Sequence, residues 1–556
     1  MRRNSSMEKT VYDVAILGSG IAGSLLGAIL ARHGAKVLLV DAASHPRFAV
    51  GESTIPYTLL YLRALADRYD VPEIKNLATF TRTRKAMGER FGVKRHFGFL
   101  MHHPGQPQNP REANEFNTPK NLLNEAAHYF RQDTDSYLFH VAMKYGCKAR
   151  QNFRVDEVDF GDDGVTLSGG DAEYRARYVV DASGFRSPLA DKFGLRENPC
   201  RLKHHSRSVW NHMLDVPRTD DLWRHGKENR PPFPWYEGTV HHVFERGWAW
   251  VIAFDNNKWS TNPLCSVGMT VDPRTFPKPA DLTPEEDFHA LAAPYPDIAR
   301  QFEGAKPVRE WVSTPRLQYS SSRCAGDRWF LLSHAAGFID PLFSRGLSNT
   351  AESVHALAWR LLEAVKDGDF SAERFEFVER LQQKLFDYND SLVNAAFISW
   401  QEYDLWTAVF RFWAWGANAG CYQIQRALSR FAEDGDDRHF LELEKAPHLG
   451  HYWGFNDGFA KAYDSMVEQV DAVEAGELDA SEAADDLYDQ MRLADFWPKG
   501  FGFAERDVRF ISPRPKTFLK MARWARTEAD PELGRLMIDT GKAALKSRLL
   551  KGRKLF

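Results

Sequence analysis

The run Gly18-Ser19-Gly20-Ile21-Ala22-Gly23 constrains this chain most, because of where it stands. It joins a β-like run, Val11 to Leu17, to an Ala/Leu-rich helical pattern that Gly34 stops. Gly18 permits a tight turn, Gly20 leaves the backbone open to a pyrophosphate, and Gly23 lets the helix close on the sheet. The helix N-terminus then faces the phosphates. Asp41 ends a second buried run, Lys36 to Val40, and is placed to accept from a ribose hydroxyl. Strand, helix and strand in this order predict a βαβ unit, hence a parallel sheet with a right-handed crossover. The fingerprint alone does not separate FAD from NAD.

Two later segments bear on that choice. Val179-Val180-Asp181-Ala182-Ser183-Gly184 reads as a strand running into small residues, where backbone can approach a cofactor. Gly326-Asp327 precedes an apolar run, followed by Gly337-Phe338-Ile339-Asp340-Pro341 and then Gly346-Leu347. In this order the elements resemble those of flavin monooxygenases. The resemblance implies that Asp327 reaches the ribityl chain and that the Asp340-Pro341 to Gly346 segment wraps the isoalloxazine of FAD. It also implies that Arg131, opening Arg131-Gln132-Asp133-Thr134-Asp135, lies near the flavin; a surface arginine at a helix start is the alternative.

Composition removes other classes. With 556 residues, two or three packed lobes are expected. A net charge of only -3 gives no electrostatic footprint for nucleic acid. No apolar stretch approaches membrane-spanning length. Five scattered cysteines without a C-x-x-C pair predict reduced thiols and a cytoplasmic location. The neighbours His102-His103, His204-His205 and His241-His242 would point to opposite faces of a strand, so no metal site is expected from them. Trp400, Trp406, Trp413 and Trp415 read as helix core or as the mouth of a substrate site. The tail from Lys542 to Lys554 reads as a solvated basic helix.

Five further strings carry a closer resemblance. They are His45-Pro46-Arg47-Phe48, Gly51-Glu52-Ser53-Thr54-Ile55-Pro56, Gly92-Val93-Lys94-Arg95-His96-Phe97-Gly98-Phe99, His205-Ser206-Arg207-Ser208 and Phe338-Ile339-Asp340-Pro341-Leu342-Phe343-Ser344-Arg345-Gly346. Together they resemble the flavin-dependent halogenases, in the branch that acts on arylpyrroles and free phenols, from about Val11 to about Trp406. The resemblance implies that reduced flavin and oxygen form a hydroperoxide, that halide attacks it, and that hypohalous acid travels to a lysine. That lysine is Lys94, with Lys85 as the rival. FAD would also meet Arg47, Gly51, Glu52, Ser53 and Leu347, and the backbone N–H groups of Arg345 and Gly346 would cradle the halide. The family's W-x-W-x-I-P signature reads Trp248-Ala249-Trp250-Val251-Ile252-Ala253 here. It is expected to separate substrate from flavin, and Ala253 in place of proline is expected to loosen that barrier. Phe343 stands where tryptophan halogenases carry glutamate, which argues against free tryptophan as substrate.

The expected fold is α/β: an FAD-binding flavin-monooxygenase core of the glutathione-reductase-like Rossmann type, with an antiparallel substrate sheet and a helical C-terminal lobe. Residues 1–10 are expected as a flexible tail and 11–365 as the core, with substrate-sheet segments at about 50–125 and 200–320 inserted. Residues 366–556 are expected as the helical lobe. The expected activity is FADH2- and O2-dependent halogenation of a free small aromatic with chloride or bromide. With no second nucleotide fingerprint, a separate flavin reductase is the expected partner of a monomer or homodimer. An FAD-dependent aromatic hydroxylase and a flavin-binding protein without turnover share the cofactor motifs and stay open.

Overall fold

A computed structural model of the chain describes residues 10–117, 125–170, 172–223, 226, 229–512 and 515–550. The expected tail, residues 1–10, lies almost entirely outside them, as does the end of the basic C-terminal helix. The parallel sheet forms as the βαβ reading requires. Strand Val11–Leu17 lies between Val37–Val40 and Ala172–Asp181, parallel to both, and Trp329–Leu331 runs parallel beyond Ala172–Asp181. Residues 14–17, 37–40 and 178–180 of these strands are apolar and buried, as in strands covered on both faces. Helices Ile21–Arg32 and Arg131–Lys144 pack together, and Gly346–Asp367 packs on the first of them. Leu17 pairs with both Val40 and Asp181, and Asp181 pairs with Leu331. The Gly18 turn, the loop after Asp181 and the chain after Leu331 therefore leave the sheet at one edge, where open α/β sheets bind ligands.

A second, nine-stranded sheet carries the other half of the site. Strands Arg207–Leu214, Cys265–Val271, Gly247–Ala253 and Thr239–Phe244 are antiparallel neighbours in that order, as the aromatic/polar alternation predicts. His96–Met101 then joins in parallel to Thr239–Phe244, and Ala113–Asn117 follows antiparallel. The sheet is thus mixed rather than wholly antiparallel. The C-terminal region is not purely helical either: Phe510–Ile511 adds a parallel edge strand to Ala113–Asn117.

One local departure places Lys94. The β-like run from Gly92 to His102 breaks at Arg95, which ion-pairs with Glu125 and Glu237. Gly92–Lys94 leaves the large sheet and pairs instead with Ala126–His128 in a separate ribbon. Lys94 and His128 thereby come onto adjacent strands. Above them lies the helix Tyr403–Asp434. Its Trp406, Phe410 and Trp413 rings pack edge-on against Phe99 or Phe97 of the sheet. All four tryptophans of the sequence stripe are buried. No helix among the described residues is long and apolar enough to cross a membrane.

Candidate active site

At the edge of the parallel sheet the glycine turn has its fingerprint geometry. Gly18 has φ +96°, and a Cβ there would stand 2.5 Å from the Ala182 carbonyl oxygen. A Cβ on Gly23 would stand 2.0 Å from the Gly18 carbonyl oxygen, so helix and turn touch backbone to backbone. Ile21 and Ala22 open the helix behind them. Asp41 accepts from the Ser19 N–H at 2.7 Å and the Ser19 hydroxyl at 2.8 Å, and pairs with Arg47 at 2.9 Å. Arg131 grips both oxygens of Asp135, at 2.7 and 2.9 Å, and donates to the Gly51 carbonyl at 3.1 Å. Gly20 faces this cluster across open space, the nearest atoms to a Cβ being Arg47 Nη2 and Asp135 Oδ2. A helix N-terminus, a bare glycine and two arginines fit the diphosphate of FAD. Asp181 is fully buried and accepts from Ser183 N–H, Ser187 hydroxyl and Leu189 N–H, bracing the loop that reaches Gly184.

Two predicted cofactor residues do other work. Asp327 is exposed in the hairpin before Trp329–Leu331, at the opposite end of that strand from the Gly18 turn. Its carboxylate accepts from the Ala372 N–H at a helix start, 2.8 Å away. What leaves the strand on the cofactor side is Ser333-His334, which the sequence reading missed. His334 lies 3.3 Å from the Cβ position of Gly346, and burial together with the Arg131 charge lowers its pKa to about 4. Asp340 is buried but turned inward, accepting from the Ser206 hydroxyl at 2.8 Å and the Leu342 N–H at 3.0 Å. It shapes the loop that presents Pro341 and, further on, Leu347, both partly exposed.

Lys94 ends the ribbon strand Gly92–Lys94, two residues before His96–Met101 enters the nine-stranded sheet. It is 2% exposed, donates to the Ser53 hydroxyl, and lies over the Phe97 ring at 3.3 Å. Burial lowers its pKa well below the ordinary lysine value. Among the described residues no carboxylate lies within ion-pair distance of it. Lys85, by contrast, is exposed in the last turn of the helix Phe80–Met87. Ser53 also accepts from Ser344 at 3.0 Å, which ties the lysine to the residue preceding Arg345 and Gly346. The Arg345 side chain turns away, donating to Asn349 and the Gly450 carbonyl and lying on Tyr452. Its backbone N–H and that of Gly346 stand at the start of the helix Gly346–Asp367, without a protein acceptor among the described residues. Glu52, one residue before Ser53, is buried against His212 at 2.6 Å.

Phe343 is fully buried and stacks on Trp413, with ring centroids 5.0 Å apart. It extends the aromatic wall and offers no proton-transferring group. Trp248, Trp250 and Ile252 share one face of their strand, with Trp248 5.4 Å from the His241 ring and Trp250 donating to Ser266. Ala253 belongs to the other face. Its methyl packs with the outer core and lines a cavity of about 170 Å³ with Val240, Val251 and Tyr236. A proline ring at 253 would therefore project away from the tryptophans and bear on them only through the backbone. Ala253→Pro is expected to leave the peroxide released per flavin oxidised unchanged. A clear fall in peroxide would restore the barrier role.

Residues 11–374 match a family model described as an FAD binding domain. The chain is 51% identical to tetracycline 7-halogenase of Kitasatospora aureofaciens over 95% of each chain. It is 44% identical to the monodechloroaminopyrrolnitrin halogenase PrnC of Pseudomonas fluorescens, covering 88% of this chain and 86% of that one. The crystal structure of halogenase PltM with phloroglucinol and FAD superposes with a TM-score of 0.86 and 34% identity, covering 90% of this chain and 100% of that one. Fold, glycine edge and relatives agree, and the chain belongs to the flavin-dependent halogenases, which are FAD-dependent oxidoreductases.

Proposed function

We propose that this halogenase acts on a free, electron-rich small aromatic of the phenol or arylpyrrole class and that Lys94 delivers the halogen. The observation that carries the reading is a buried amine with no carboxylate partner among the described residues, tied through Ser53 and Ser344 to the cofactor-edge loop and set against an aromatic wall. Reduced FAD, with O2 and chloride or bromide, supplies hypohalous acid. The free N–H groups of Arg345 and Gly346, at the positive end of a helix of 22 residues, are the halide cradle. A desolvated amine hydrogen-bonds hypohalous acid or forms a haloamine with loss of water, and either holds the electrophile at one point. Because Phe343 replaces an ionisable neighbour, the ring must be rich enough in electrons to react without a carboxylate beside the lysine. PltM holds phloroglucinol, a phenol, in its crystal structure, in keeping with this class.

The test is a substrate panel with reduced FAD, offering a phenol, an arylpyrrole, free tryptophan and a carrier-bound pyrrole. Mass spectrometry should show halogen on the first two alone. Halogenation restricted to the carrier-bound pyrrole or to tryptophan would overturn the substrate class. A separate reductase follows from the single nucleotide fingerprint, so NADPH alone should not reduce bound FAD at a useful rate. A generic flavin reductase should restore turnover. Rapid reduction by NADPH in stopped flow would instead mark a self-sufficient enzyme.

A further inference from the structure

We propose that Ser53, Thr239 and His128 form a hydrogen-bonded proton relay serving Lys94, so that the lysine exchanges its proton inside the protein and not with bulk water. The proposal rests on the reading of Lys94 as the halogen-delivering amine, and the three residues are positioning residues for it. The observation is a continuous chain. Lys94 donates to Ser53; the Ser53 and Thr239 hydroxyls are 2.9 Å apart; Thr239 is 3.1 Å from His128 Nε2; and His128 Nδ1 is 3.3 Å from the Ala253 carbonyl oxygen. Lys94, Thr239 and His128 are each at most 2% exposed.

Donor and acceptor bookkeeping fixes the direction. A carbonyl only accepts, so His128 Nδ1 must carry a hydrogen to bond Ala253. Burial, followed by the Lys94 charge, lowers the His128 pKa well below the ordinary histidine value, so the ring rests neutral and Nε2 is bare. Thr239 must then donate to Nε2 and accept from Ser53. Ser53 already accepts from Lys94 and from Ser344, leaving its own hydrogen for Thr239. Every member is satisfied in one orientation, and that orientation points from Lys94 to His128.

The ribbon holds the two ends together. Gly92 pairs with His128 and Lys94 with Ala126. A Cβ on Gly92 would lie 2.5 Å from the Ala253 oxygen and 3.1 Å from His128 Nδ1, so the ribbon rests directly on the end of strand Gly247–Ala253. When the ammonium of Lys94 gives up a proton, Ser53 Oγ receives it as the Ser53 hydrogen moves to Thr239 and the Thr239 hydrogen to His128 Nε2. The products are a neutral amine and an imidazolium whose Nδ1–H still faces Ala253. No bond between heavy atoms changes, and the return path runs through the same atoms. With no carboxylate at Lys94 among the described residues, the relay is the proton acceptor the amine has at hand.

The experiment compares Thr239→Val, which keeps shape and removes the hydroxyl, with Thr239→Ser, which restores it, beside Lys94→Met as control. Halogenated product should fall at least about tenfold in Thr239→Val and return in Thr239→Ser, with KM for the aromatic and the flavin oxidation rate unchanged. Nitrogen NMR of the unloaded protein, with His128 assigned by loss of its signals in His128→Gln, should show the Nδ1–H tautomer. Wild-type halogenation in Thr239→Val while Lys94→Met is dead would overturn the relay and leave the Lys94 reading intact. A serine variant as poor as the valine one, or an Nε2–H tautomer, would overturn it equally. Full activity in Lys94→Met would instead remove the lysine reading on which the relay stands.

Discussion

Lys94→Met is expected to cut halogenated product by about 100-fold or more while oxygen consumption and flavin reoxidation continue. Methionine keeps the length of the stem and its contact with the Phe97 ring while deleting the donor and the charge. Folding should survive, because the lysine is buried with no ion-pair partner among the described residues and its removal strands no opposite charge there. Ser53 keeps its bonds to Ser344 and Thr239. Arginine should not rescue, since a guanidinium is bulkier and does not deprotonate. Lys85→Met should match the wild type, that side chain lying at the surface. Product analysis of the three variants at equal flavin oxidation decides the matter. Retained halogenation in Lys94→Met, with loss in Lys85→Met, would move the site to the other lysine.

The second large effect concerns the glycine turn. Gly20→Val places its methyl groups in the open space opposite Arg47 and Asp135, where the first added carbon meets no protein atom closer than 3.6 Å. The unloaded protein should therefore fold with a melting temperature close to that of the wild type. Affinity for FAD should fall at least about 100-fold, or ~2.7 kcal/mol, read by fluorescence titration. Gly23→Ala behaves differently, because its methyl would sit 2.0 Å from the Gly18 carbonyl oxygen. It should lower stability even without cofactor. Unchanged FAD affinity in Gly20→Val would place the diphosphate elsewhere.

The glycine edge was legible in the sequence because every determinant lies within a short stretch of chain. Turn, helix start and the Asp41 strand end follow one another, and their geometry is fixed by sterics of neighbouring residues. The alternation that marks the substrate sheet was legible for the same reason. Asp327 shows where local reading fails. A Gly-Asp pair before an apolar strand fits a hairpin turn as well as a cofactor loop, and only the direction of Trp329–Leu331 in the sheet separates the two. Ser333 and His334, at the other end of that strand, carry no comparable signature. The three polar residues Lys94-Arg95-His96 break the alternation of the run from Gly92 to His102, yet nothing local says that Arg95, held by Glu125 and Glu237, marks the passage from one sheet into another. Lys94 was found through its string, but its partners were not. Ser53, His128, Thr239, Ala253 and Ser344 come from five separate segments, and only the pairing of strands brings their atoms within hydrogen-bond reach. Trp413 and Phe343 meet in the same way, from a helix and a loop far apart in the chain.

The central claim is that this fold turns oxygen chemistry at the flavin into carbon–halogen bond formation, in place of the hydroxylation open to other proteins with the same cofactor edge. A single turnover with reduced FAD and isotope-labelled oxygen, with and without chloride, measures that choice directly. With chloride, mass spectrometry should find one chlorine and no labelled oxygen in the aromatic product; without halide, the aromatic should be recovered unchanged. An aromatic product carrying labelled oxygen, formed equally with and without chloride, would contradict the account.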